Sequence, residues 1–521
     1  MTADLAEETK AATVTMTRRQ ERWVLIGAIV ASSMAFIDMS VVNVALPVLQ
    51  HSLGASFAEA QWVVEAYTLL LSALILPGGA IGDIYGRRRV FGLGILLFAL
   101  ASAACGLAPD PLTLIIARAG QGVAGALMMP GSLAIIAASV PQERRGHAIG
   151  VWSAATGITV AVAPALGGWL IDILSWRGVF LVNLPLAAIA LVIVWTRVPE
   201  SRASEGGRLD LLGTLFAIVG LGGMTFGLIE AGRTGFWDPL TGGAIAVGVL
   251  ATAAFLLVEA RVANPMIPLG LFRLPAFTGI QIYTFLLWAA LNGALFFVPF
   301  RLMQVHGFDP LQAGMALLPF VIVASILSRW AGRLVDRLGP GRPLVVGALF
   351  TGLGFLLLAL PDADTPYWSG FLPALLVMGV GMGICVTPVT VTALNAAGNE
   401  HVGVASAVNN MVARTGGLIA IAVFGIVLAN RFNASLDQAL HGMALPTAAL
   451  EALQPERAKL AAAVLPPGLS AEQQVLLSAA IKHAFVDGDR WTMGLAGAMA
   501  VLSAITAAVW LGNGRRSRAL K

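Results

Sequence analysis

The sequence is poor in charge and in cysteine. Only 12% of its 521 residues are charged, and Cys105 and Cys385, its two cysteines, lie inside apolar segments without neighbours at a metal-ligand spacing. We therefore expect both to be small buried hydrophobic residues, and we expect no metal site. The nucleotide-binding pattern Gly-x-x-x-x-Gly-Lys-Ser/Thr is missing, as is any constellation of nucleophile and base. These absences argue against an ATP-driven motor and against an enzyme, and we expect no cofactor.

Long apolar runs are what the sequence has instead. Hydrophobic residues make up 58% of the chain, against roughly 45–50% in soluble domains. They form fourteen blocks of about 20 residues, the length that crosses ~30 Å of hydrocarbon as a helix. Long blocks with many glycines favour helices over barrel strands. The composition predicts an all-α membrane protein with 14 transmembrane helices in a lipid bilayer.

Basic residues lie in every second loop between these blocks. The formal net charge of +4 is spread over short loops and forms no single basic face, so we expect no nucleic-acid partner. Since cytoplasmic loops carry the excess of lysine and arginine, both termini are predicted to be cytoplasmic. The polar first 22 residues precede an apolar run that we interpret as a retained first span, because it lacks a convincing cleavage site. Residues of the basic loops include Arg18, Arg87, Arg144, Arg208 and Arg333.

A short stretch near the end of the second block recurs later in the chain. "GGAIGDIYGRRR" begins at Gly78, and the similar "WAGRLVDRLGPGR" spans 330–342, with Asp83 aligned to Asp336. Both stretches fall on predicted cytoplasmic loops. Repeated halves are typical of secondary transporters, so the repeat predicts two related bundles.

Several motifs together resemble one transporter family. The pattern G-x-x-x-D-x-x-G-R-R at 79–88 resembles the signature loop between helices 2 and 3 of the major facilitator superfamily. "FIDMSVVNVALP" (36–47) resembles the first-helix motif of its fourteen-helix drug:proton antiporter branch, and "RAGQGVAGA" (118–126) the fourth-helix motif of the family. "WRGVFLVNLP" (176–185) and "LQAGMALLP" (311–319) are similar to that branch as well. The resemblance covers nearly the whole chain.

The resemblance implies the major facilitator fold, with two six-helix bundles, two inserted helices and a location in the inner (cytoplasmic) membrane. Within the external loop 431–485, Ser470 and Gln473 offer a capping box before an apolar-periodic run, which predicts a separate amphipathic surface helix. The expected parts are a cytoplasmic tail at 1–22, the N-terminal bundle at 23–197, a linker with the inserted helices at 198–263, the C-terminal bundle at 264–512 and a cytoplasmic tail at 513–521.

Three charged residues inside predicted spans are candidates for proton coupling. Asp38 lies about ten residues, or ~15 Å, from the outer end of the first span, where an ionised carboxylate costs several kcal/mol unless paired or hydrated. Arg118 needs a partner, which Asp38 or Glu65 could supply, and the family resemblance implies that it takes part in proton transfer. Glu65 stands where the family usually has threonine. The alternatives are helix packing for Asp38, structural pairing for Arg118 and an interfacial Glu65 that snorkels to water.

Two further groups are expected to serve conformational change. In the signature loop, Gly79 would allow close helix approach and Gly86 would permit the turn. Asp83 would pair with Arg87 or with a group on a neighbouring helix while the cytoplasmic side is closed. The alternative is that these charges only set the topology. The predicted latch residues are Gly79, Asp83, Gly86, Arg87, Arg88 and Asp336.

The fifth span contains a predicted gate. Pro164, Gly167 and Gly168 predict a kink and close backbone approach, either as a hinge against the other half or as tight packing. Thr159 and Ala163 replace two glycines that the antiporter motif expects, and this departure weakens the inference of export over uptake.

Other polar and adaptable side chains complete the expectations. Arg414 is expected to be structural, and Glu230, Arg233 and Arg301 are expected to be solvated near outer helix ends. Methionine and aromatic surfaces adapt to varied apolar ligands, although core packing is the alternative for each such residue. The residues predicted to line the central cavity are Met34, Met39, Trp288, Asn292 and Gln304.

The family resemblance and the missing ATP site imply a proton-coupled exporter that works by alternating access. Its substrates would be small amphipathic, often cationic drugs or toxic compounds, with the proton as coupling ion, and the unit would act as a monomer. Two alternatives stay open: a dedicated exporter of one lipid, siderophore or secondary metabolite, and a membrane sensor or scaffold with a degenerate transporter fold.

Overall fold

The computed structural model describes residues 18–202, 210–262, 265–397, 402–443 and 445–511, which contain no strand. In this part of the chain, fourteen helices are long and apolar enough to cross a membrane, which confirms the all-α prediction with 14 spans. The spans are α1 Arg18–Leu53, α2 Phe57–Tyr85, α3 Arg87–Leu107, α4 Pro111–Ser139, α5 Arg144–Ile173, α6 Gly178–Arg197, α7 Leu211–Thr234, α8 Pro239–Glu259, α9 Pro275–Val305, α10 Pro310–Ala331, α11 Gly341–Leu358, α12 Tyr367–Ala397, α13 Val404–His441 and α14 Ala471–Leu511.

Several spans begin at a residue whose side chain caps the helix. Ser56 and Glu59 form a capping box before α2, in which the Glu59 backbone N–H donates to Ser56 Oγ at 3.2 Å. Asp110 and Asp238 accept backbone N–H bonds at the starts of α4 and α8, and a proline follows each in the first turn. Gly86 turns the chain between α2 and α3 with a φ of 111°, a conformation that glycine adopts easily. Caps and a glycine turn therefore set where these spans begin.

Glycines bring the helices of the N-terminal half close together. Here α1 packs against α5 and α6, while α4 packs against α2 and α3. A Cβ atom at Gly78 would lie 2.1 Å from the carbonyl oxygen of Ala126, and one at Gly122 would lie 2.5 Å from that of Tyr67. The backbones of α2 and α4 are thus in direct contact, as small residues allow between membrane helices.

The C-terminal half is built around α12, α13 and α14. In this half α12 packs against α10 and α11, and α14 packs against α9, α11 and α13. Between the halves in sequence, α7 and α8 pack against each other, and α7 also contacts α2 and α13. The inserted pair therefore lies along one side of the junction between the halves. The domain limits 23–197, 198–263 and 264–512 stay a prediction.

The external loop differs from its prediction. The capping box of Ser470 and Gln473 is present, but the helix that it starts runs without a break from Ala471 into the last span. A separate surface helix is therefore wrong, and the reason is that one face of this turn of helix is buried in the core. The buried residues include Leu477, Ala480, Ile481 and Ala484. Since α13 also extends to His441, the external segment shortens to the residues between His441 and Ala471. Its described part contains a short α-helix at Thr447–Glu456 and a 3-10 helix at Arg457–Ala462.

The two halves touch at their outer ends and separate at their inner ends. A Cβ atom at Gly168, near the outer end of α5, would lie 2.3 Å from the carbonyl oxygen of Pro310 at the start of α10. On the inner half of α5, no described atom lies within 4 Å of the corresponding position at Gly146, Gly150 or Gly157. The basic loops identify the separated ends as cytoplasmic. The structure is therefore inward-facing.

Candidate substrate and proton site

A buried ion pair joins the first and fourth spans. Arg118 Nη1 donates to Asp38 Oδ2 at 2.5 Å, and the two side chains are 1% and 0% exposed. Arg118 Nε donates to the carbonyl oxygen of Val63 on α2 at 2.9 Å. Two buried charges need this kind of geometry, because taking each of them out of water costs several kcal/mol. Of the two partners considered for Arg118, the structure pairs it with Asp38 and not with Glu65.

Amide and hydroxyl groups complete the surroundings of the Asp38 carboxylate. Gln121 Nε2 and Asn183 Nδ2 donate to Asp38 Oδ1 at 2.8 and 3.2 Å. Both amides also donate to Ser102 Oγ, at 2.8 and 2.9 Å. Arg118 Nη1 makes a further bond of 2.7 Å to Gln121 Oε1. Asp38 therefore accepts three hydrogen bonds and is held in one orientation.

The sequence reasoning missed Gln121, Asn183 and Ser102. Gln121 and Asn183 lie inside the two motifs at 118–126 and 176–185, in which a role is predicted for Arg118 alone. The sequence contains a signal for these residues, because each is a polar side chain within an apolar span. Burying such a side chain in a membrane is costly unless it pairs with another polar group. That rule applies to amides as well as to charges.

A cavity of about 280 Å³ lies between the two halves beside this pair. Arg118 reaches its wall, whereas Asp38 lies behind Arg118 and is not a lining residue. Tyr67 packs on Arg118, with 4.3 Å between the guanidinium carbon and the ring centroid. The N-terminal half contributes Phe36, Met39, Asn43, Val64, Tyr67, Thr68 and Arg118, and the C-terminal half contributes Trp288, Asn292, Phe296, Asn410, Ala413, Arg414, Gly417, Leu418 and Ile421.

The central cavity has a neighbouring cavity on its cytoplasmic side. A second cavity of about 600 Å³ is lined by the inner parts of α2, α4 and α13 and by the start of α3, and it shares Phe36, Asn410 and Arg414 with the first. Arg414, which was expected to be structural, therefore lies on the cavity wall, where its Nη1 contacts Met39 Sδ at 3.4 Å. The two cavities are therefore adjacent, and Phe36, Asn410 and Arg414 border both of them.

Three of the five predicted cavity residues line the central cavity, namely Met39, Trp288 and Asn292. Met34 does not, because it is fully buried in the core of the N-terminal half. Met39 is five positions further along the helix, which places the two side chains about 140° apart around the helix axis. Gln304 is also elsewhere, since its Nε2 donates to Gln50 Oε1 at 2.9 Å at the outer end of α9. Both assignments to the cavity are therefore wrong.

Glu65 is fully buried, and its carboxyl oxygens have no hydrogen-bond partner among the described residues. Trp62, one turn before it on α2, packs on Phe226 of α7 with ring centroids 6.2 Å apart. Leu69, one turn after it, lies next to Gly222 of α7. Glu65 therefore sits on the side of α2 that faces the inserted helix α7. The alternative of a carboxylate that snorkels to outer water is wrong, while its role in proton coupling stays a prediction.

The signature loop forms a compact cytoplasmic turn. Arg87 Nε contacts Asp83 Oδ1 at 2.8 Å, so Asp83 pairs within its own turn. Gly86 has the positive φ that the turn requires. The backbone N–H of Arg88 donates at 3.0 Å to Oε1 of Glu200, a residue that the sequence reasoning did not single out. These contacts tie the loop to the end of α6 while the inner side is open.

The glycine that permits close helix approach near this loop is Gly78. A Cβ atom at the predicted position, Gly79, would have its nearest neighbour, Pro130 Cβ, at an ordinary contact distance of 3.5 Å. The role proposed for Gly79 is therefore wrong, because its neighbour Gly78 points at the backbone of α4. Asp336 belongs to the helix Leu318–Leu338, and its side chain lies outside the described residues.

The predicted gate on α5 lies where the two halves touch. A Cβ atom at Gly314 of α10 would be 2.2 Å from the carbonyl oxygen of Pro164. Gly168 meets the start of α10, and a Cβ atom at Gly167 would be 2.7 Å from Val41 Cγ1 of α1. Pro164 and Gly168 therefore form the closed outer contact of the inward-facing state, whereas Gly167 packs on α1 within the N-terminal half. The action of these three positions as a hinge stays a prediction.

A second buried ion pair corrects the expectation for Arg301. Arg301 Nη1 contacts Asp489 Oδ2 at 2.6 Å, with side chains 1% and 0% exposed, so Arg301 is not solvated. Its guanidinium also donates to the carbonyl oxygens of Leu358 and Pro361. His306 follows the span, and burial lowers the pKa of this histidine. The other two outer residues, Glu230 and Arg233, pair with each other, and Arg233 is exposed as expected.

Comparison with known proteins agrees with this architecture. A family model described as Major Facilitator Superfamily matches residues 28–421. The fold is similar to that of a bacterial homologue of the human lysosomal transporter Spinster in an inward-facing and unoccupied conformation. That similarity has a TM-score of 0.67 and 17% identity, and it covers 95% of this chain and 99% of the other.

Curated relatives are more similar in sequence. The chain is 35% identical to "Multidrug resistance protein Stp" of Mycobacterium tuberculosis, over 78% of this chain and 75% of that protein. It is 31% identical to "Tetracenomycin C resistance and export protein" of Streptomyces glaucescens, over 93% and 90%. It is 38% identical to "Puromycin resistance protein pur8" of Streptomyces alboniger, over 78% and 81%. The chain therefore belongs to the major facilitator superfamily, as its motifs predicted, and its relatives there are multidrug and antibiotic resistance proteins.

Proposed function

We propose that this protein is a proton-coupled exporter of small amphipathic, often cationic drugs or toxic compounds. One observation carries the proposal: the buried Asp38–Arg118 pair borders, through Arg118, a cavity between the two helical halves of the inward-facing structure. The names of the relatives, which refer to drug resistance and export, support the direction and the substrate class. The protein would act as a monomer in the inner membrane.

The position of Arg118 between the cavity and Asp38 suggests how proton and substrate interact. Protonation of Asp38 removes its charge and leaves Arg118 without its ionic partner. The cavity wall then carries the uncompensated charge of Arg118 in addition to that of Arg414. A cationic substrate is bound more weakly in that state, and a bound cation in turn makes protonation of Asp38 less favourable. Antiport requires this negative coupling between the two ligands. Arg118 is thus the residue through which the two ligands exclude each other.

Alternating access follows from the closed outer ends and the open inner ends. In the proposed cycle, substrate enters from the cytoplasm, the inner ends of the two halves come together, and the outer contacts of α5 with α10 open. Entry of a proton to Asp38 on the outer side favours release of the substrate and the return step. The energy comes from the proton gradient.

The first test uses the purified protein in lipid vesicles. A pH gradient is imposed, and the flux of tritiated puromycin is measured for wild type and for Asp38→Asn. Wild type is expected to accumulate puromycin only when the gradient is present, and Asp38→Asn is expected to lose this accumulation. Asp364→Asn, on the external loop between α11 and α12, is the matched control and should behave as wild type.

Exchange of puromycin without a gradient separates coupling from folding. Asp38→Asn is expected to keep this exchange at saturating puromycin, since exchange needs substrate binding and rocking but no proton. Half-saturation should need more puromycin than in wild type, because Arg118 is left without its ionic partner. Flux of wild type that ignored the gradient would contradict proton coupling. No flux of puromycin, ethidium or tetracenomycin C in either assay would favour a sensor or scaffold, and flux of a single related compound only would favour a dedicated exporter.

A further inference from the structure

An outer cavity lies on the external side of the central cavity. Its volume is about 310 Å³, close to the 280 Å³ of the central cavity, and small-molecule sites typically begin near 300 Å³. Its walls come from the start of α2, the end of α7, the outer part of α13 and residues 454–460 of the external segment. It is thus a potential site on the exit side of the transporter.

Gln61 lies between the outer cavity and the central one. Gln61 of α2 is buried, and its Nε2 donates to the carbonyl oxygen of Ile421 on α13 at 2.9 Å. Ile421 lines the central cavity, whereas Gln61 and Gly425 line the outer cavity. A Cβ atom at Gly425 would lie 2.2 Å from Gln61 Nε2, so only glycine leaves room for the amide there. The two cavities are therefore consecutive along α2 and α13, about one helical turn of 5.4 Å apart.

The outer cavity has an apolar wall and a polar end. Phe57, Ile229, Ile426 and Leu460 form the apolar wall. At the polar end, Arg457 Nε and Asn433 Oδ1 are buried without a hydrogen-bond partner among the described residues. They offer one donor and one acceptor, and such unmade bonds favour a ligand that completes them.

Both arginines of the outer cavity are paired with carboxylates, whereas Arg414 of the central cavity forms no salt bridge among the described residues. Arg457 pairs with Asp437 at 2.6 Å, and Arg233 pairs with Glu230. A molecule with an apolar body and a hydrogen-bonding end fits this cavity without an ionic anchor. Such a site binds the transported compound and also lets it leave.

The external segment roofs the cavity and connects both halves of the transporter. Gln50 Nε2 of α1 donates to the carbonyl oxygen of Lys459 at 3.1 Å. Gln304 Nε2 of α9 donates to Gln50 Oε1 at 2.9 Å. Separation of the outer ends of α1 and α9 therefore has to break this chain of bonds, which couples release from the outer cavity to the outward-facing state.

We propose that the outer cavity is a second, exit-side binding site for the amphipathic compounds that the central cavity takes, with Gln61 as the partition between the two sites. This inference rests on the proposed function as an exporter. The substrate would pass from the central site to the outer site when α2 and α13 separate at Gln61. It would leave when the external segment releases Gln50.

The test counts bound molecules and blocks the outer site with a matched substitution. A Cβ atom at Gly232 has its nearest neighbour, Ile426 Cγ1, at 3.7 Å, so a phenylalanine there starts without a clash and fills the cavity. Gly243, on α8, has no described atom within 4 Å of its Cβ position and is the control. Wild type and Gly243→Phe in lipid nanodiscs are expected to bind two equivalents of tritiated puromycin by equilibrium dialysis, and Gly232→Phe one.

The same variants are compared in vesicles. Gly232→Phe is expected to lower pH-driven puromycin flux about tenfold, which lies within the 5–150-fold range of coupled sites. The affinity of its central site for puromycin should stay within about twofold of wild type. Saturation of wild type at one equivalent, no saturable binding, or two equivalents in Gly232→Phe would overturn the second site. Wild-type flux that follows the pH gradient with a single bound equivalent would leave the proposed function standing. Flux that ignores the gradient would refute the proposed function, while the stoichiometry would still decide the second site.

Discussion

Two buried arginine–aspartate pairs, one in each half, look alike in isolation. Arg118 and Asp38 are 2.5 Å apart in the N-terminal half, and Arg301 and Asp489 are 2.6 Å apart in the C-terminal half. In both pairs the side chains are no more than 1% exposed. Distance and burial alone would give the two pairs the same role.

Their surroundings differ. Asp38 accepts from the side chains of Gln121 and Asn183, and Arg118 stands on the cavity wall. Arg301 instead donates to backbone carbonyl oxygens at the end of α11 and just beyond it. The first pair borders a cavity through Arg118, whereas the second ties α9, α11 and α14 together. Under the proposed function, contact with a cavity, rather than burial, distinguishes the coupling pair from the structural one.

The largest expected effect is that of Arg118→Gln on transport. We expect pH-driven puromycin flux to fall about 100-fold, in the upper part of the range for coupling free energies of 1–3 kcal/mol, because the cavity no longer senses the proton on Asp38. The measurement is flux into vesicles with and without a pH gradient. Arg431→Gln is the control, because its guanidinium stacks on Trp491 at 3.8 Å outside the cavity. Normal gradient-driven flux in Arg118→Gln would contradict the role of the Asp38–Arg118 pair in coupling.

Asp489→Asn is expected to act mainly on stability. It leaves Arg301 charged and buried without its ionic partner, which costs about 3–5 kcal/mol in the free energy of unfolding. Asp38→Asn should cost less, since water in the cavity can reach Arg118. Thermal unfolding in detergent measures both variants, and flux per folded molecule should survive in Asp489→Asn. Equal stability losses in the two variants would contradict the difference in surroundings.

Replacing each pair by apolar side chains sharpens the comparison further. Arg301→Met with Asp489→Leu is expected to be neutral or to stabilise the protein by about 1–4 kcal/mol, as apolar replacement of buried ion pairs often does. Transport should continue. Arg118→Met with Asp38→Leu should also fold but lose pH-driven flux. If both double variants transported puromycin against a gradient, the two pairs would be equivalent.

The smallest effect concerns the pH dependence of stability near the second pair. Burial lowers the pKa of His306, whose ring nitrogens contact the carbonyl oxygens of Arg301 and Asp362. The unfolded chain, with a histidine pKa of about 6.5, therefore takes up this proton first, so stability is full above that pH and declines as pH falls through it. Unfolding temperatures between about pH 7.5 and 5.5 should decline less for His306→Asn than for wild type. His147→Asn, at an exposed site, should follow wild type.

Much of the fold and part of the site followed from sequence. Apolar blocks and basic loops predicted fourteen spans and their orientation, because hydrocarbon thickness and charge placement act along the chain and need no knowledge of packing. Asp38 and Arg118 were identified for a similar reason, since any charge inside a span needs a partner. The family was recognisable from short motifs in the right order.

Only the tertiary structure decided the rest. Arg301 lies near a helix end in sequence and was expected to be solvated, but Asp489, its partner 188 positions away, is brought beside it by packing. Met34 and Met39 share a helix and a side-chain type, and only the neighbours of each face determine which one meets the cavity. Composition and local pattern thus determined how many helices cross the membrane, which way they run and which charges must be paired. The packing between distant helices decided the partner of each charge and the path left open between them, because these depend on contacts between residues far apart in the chain.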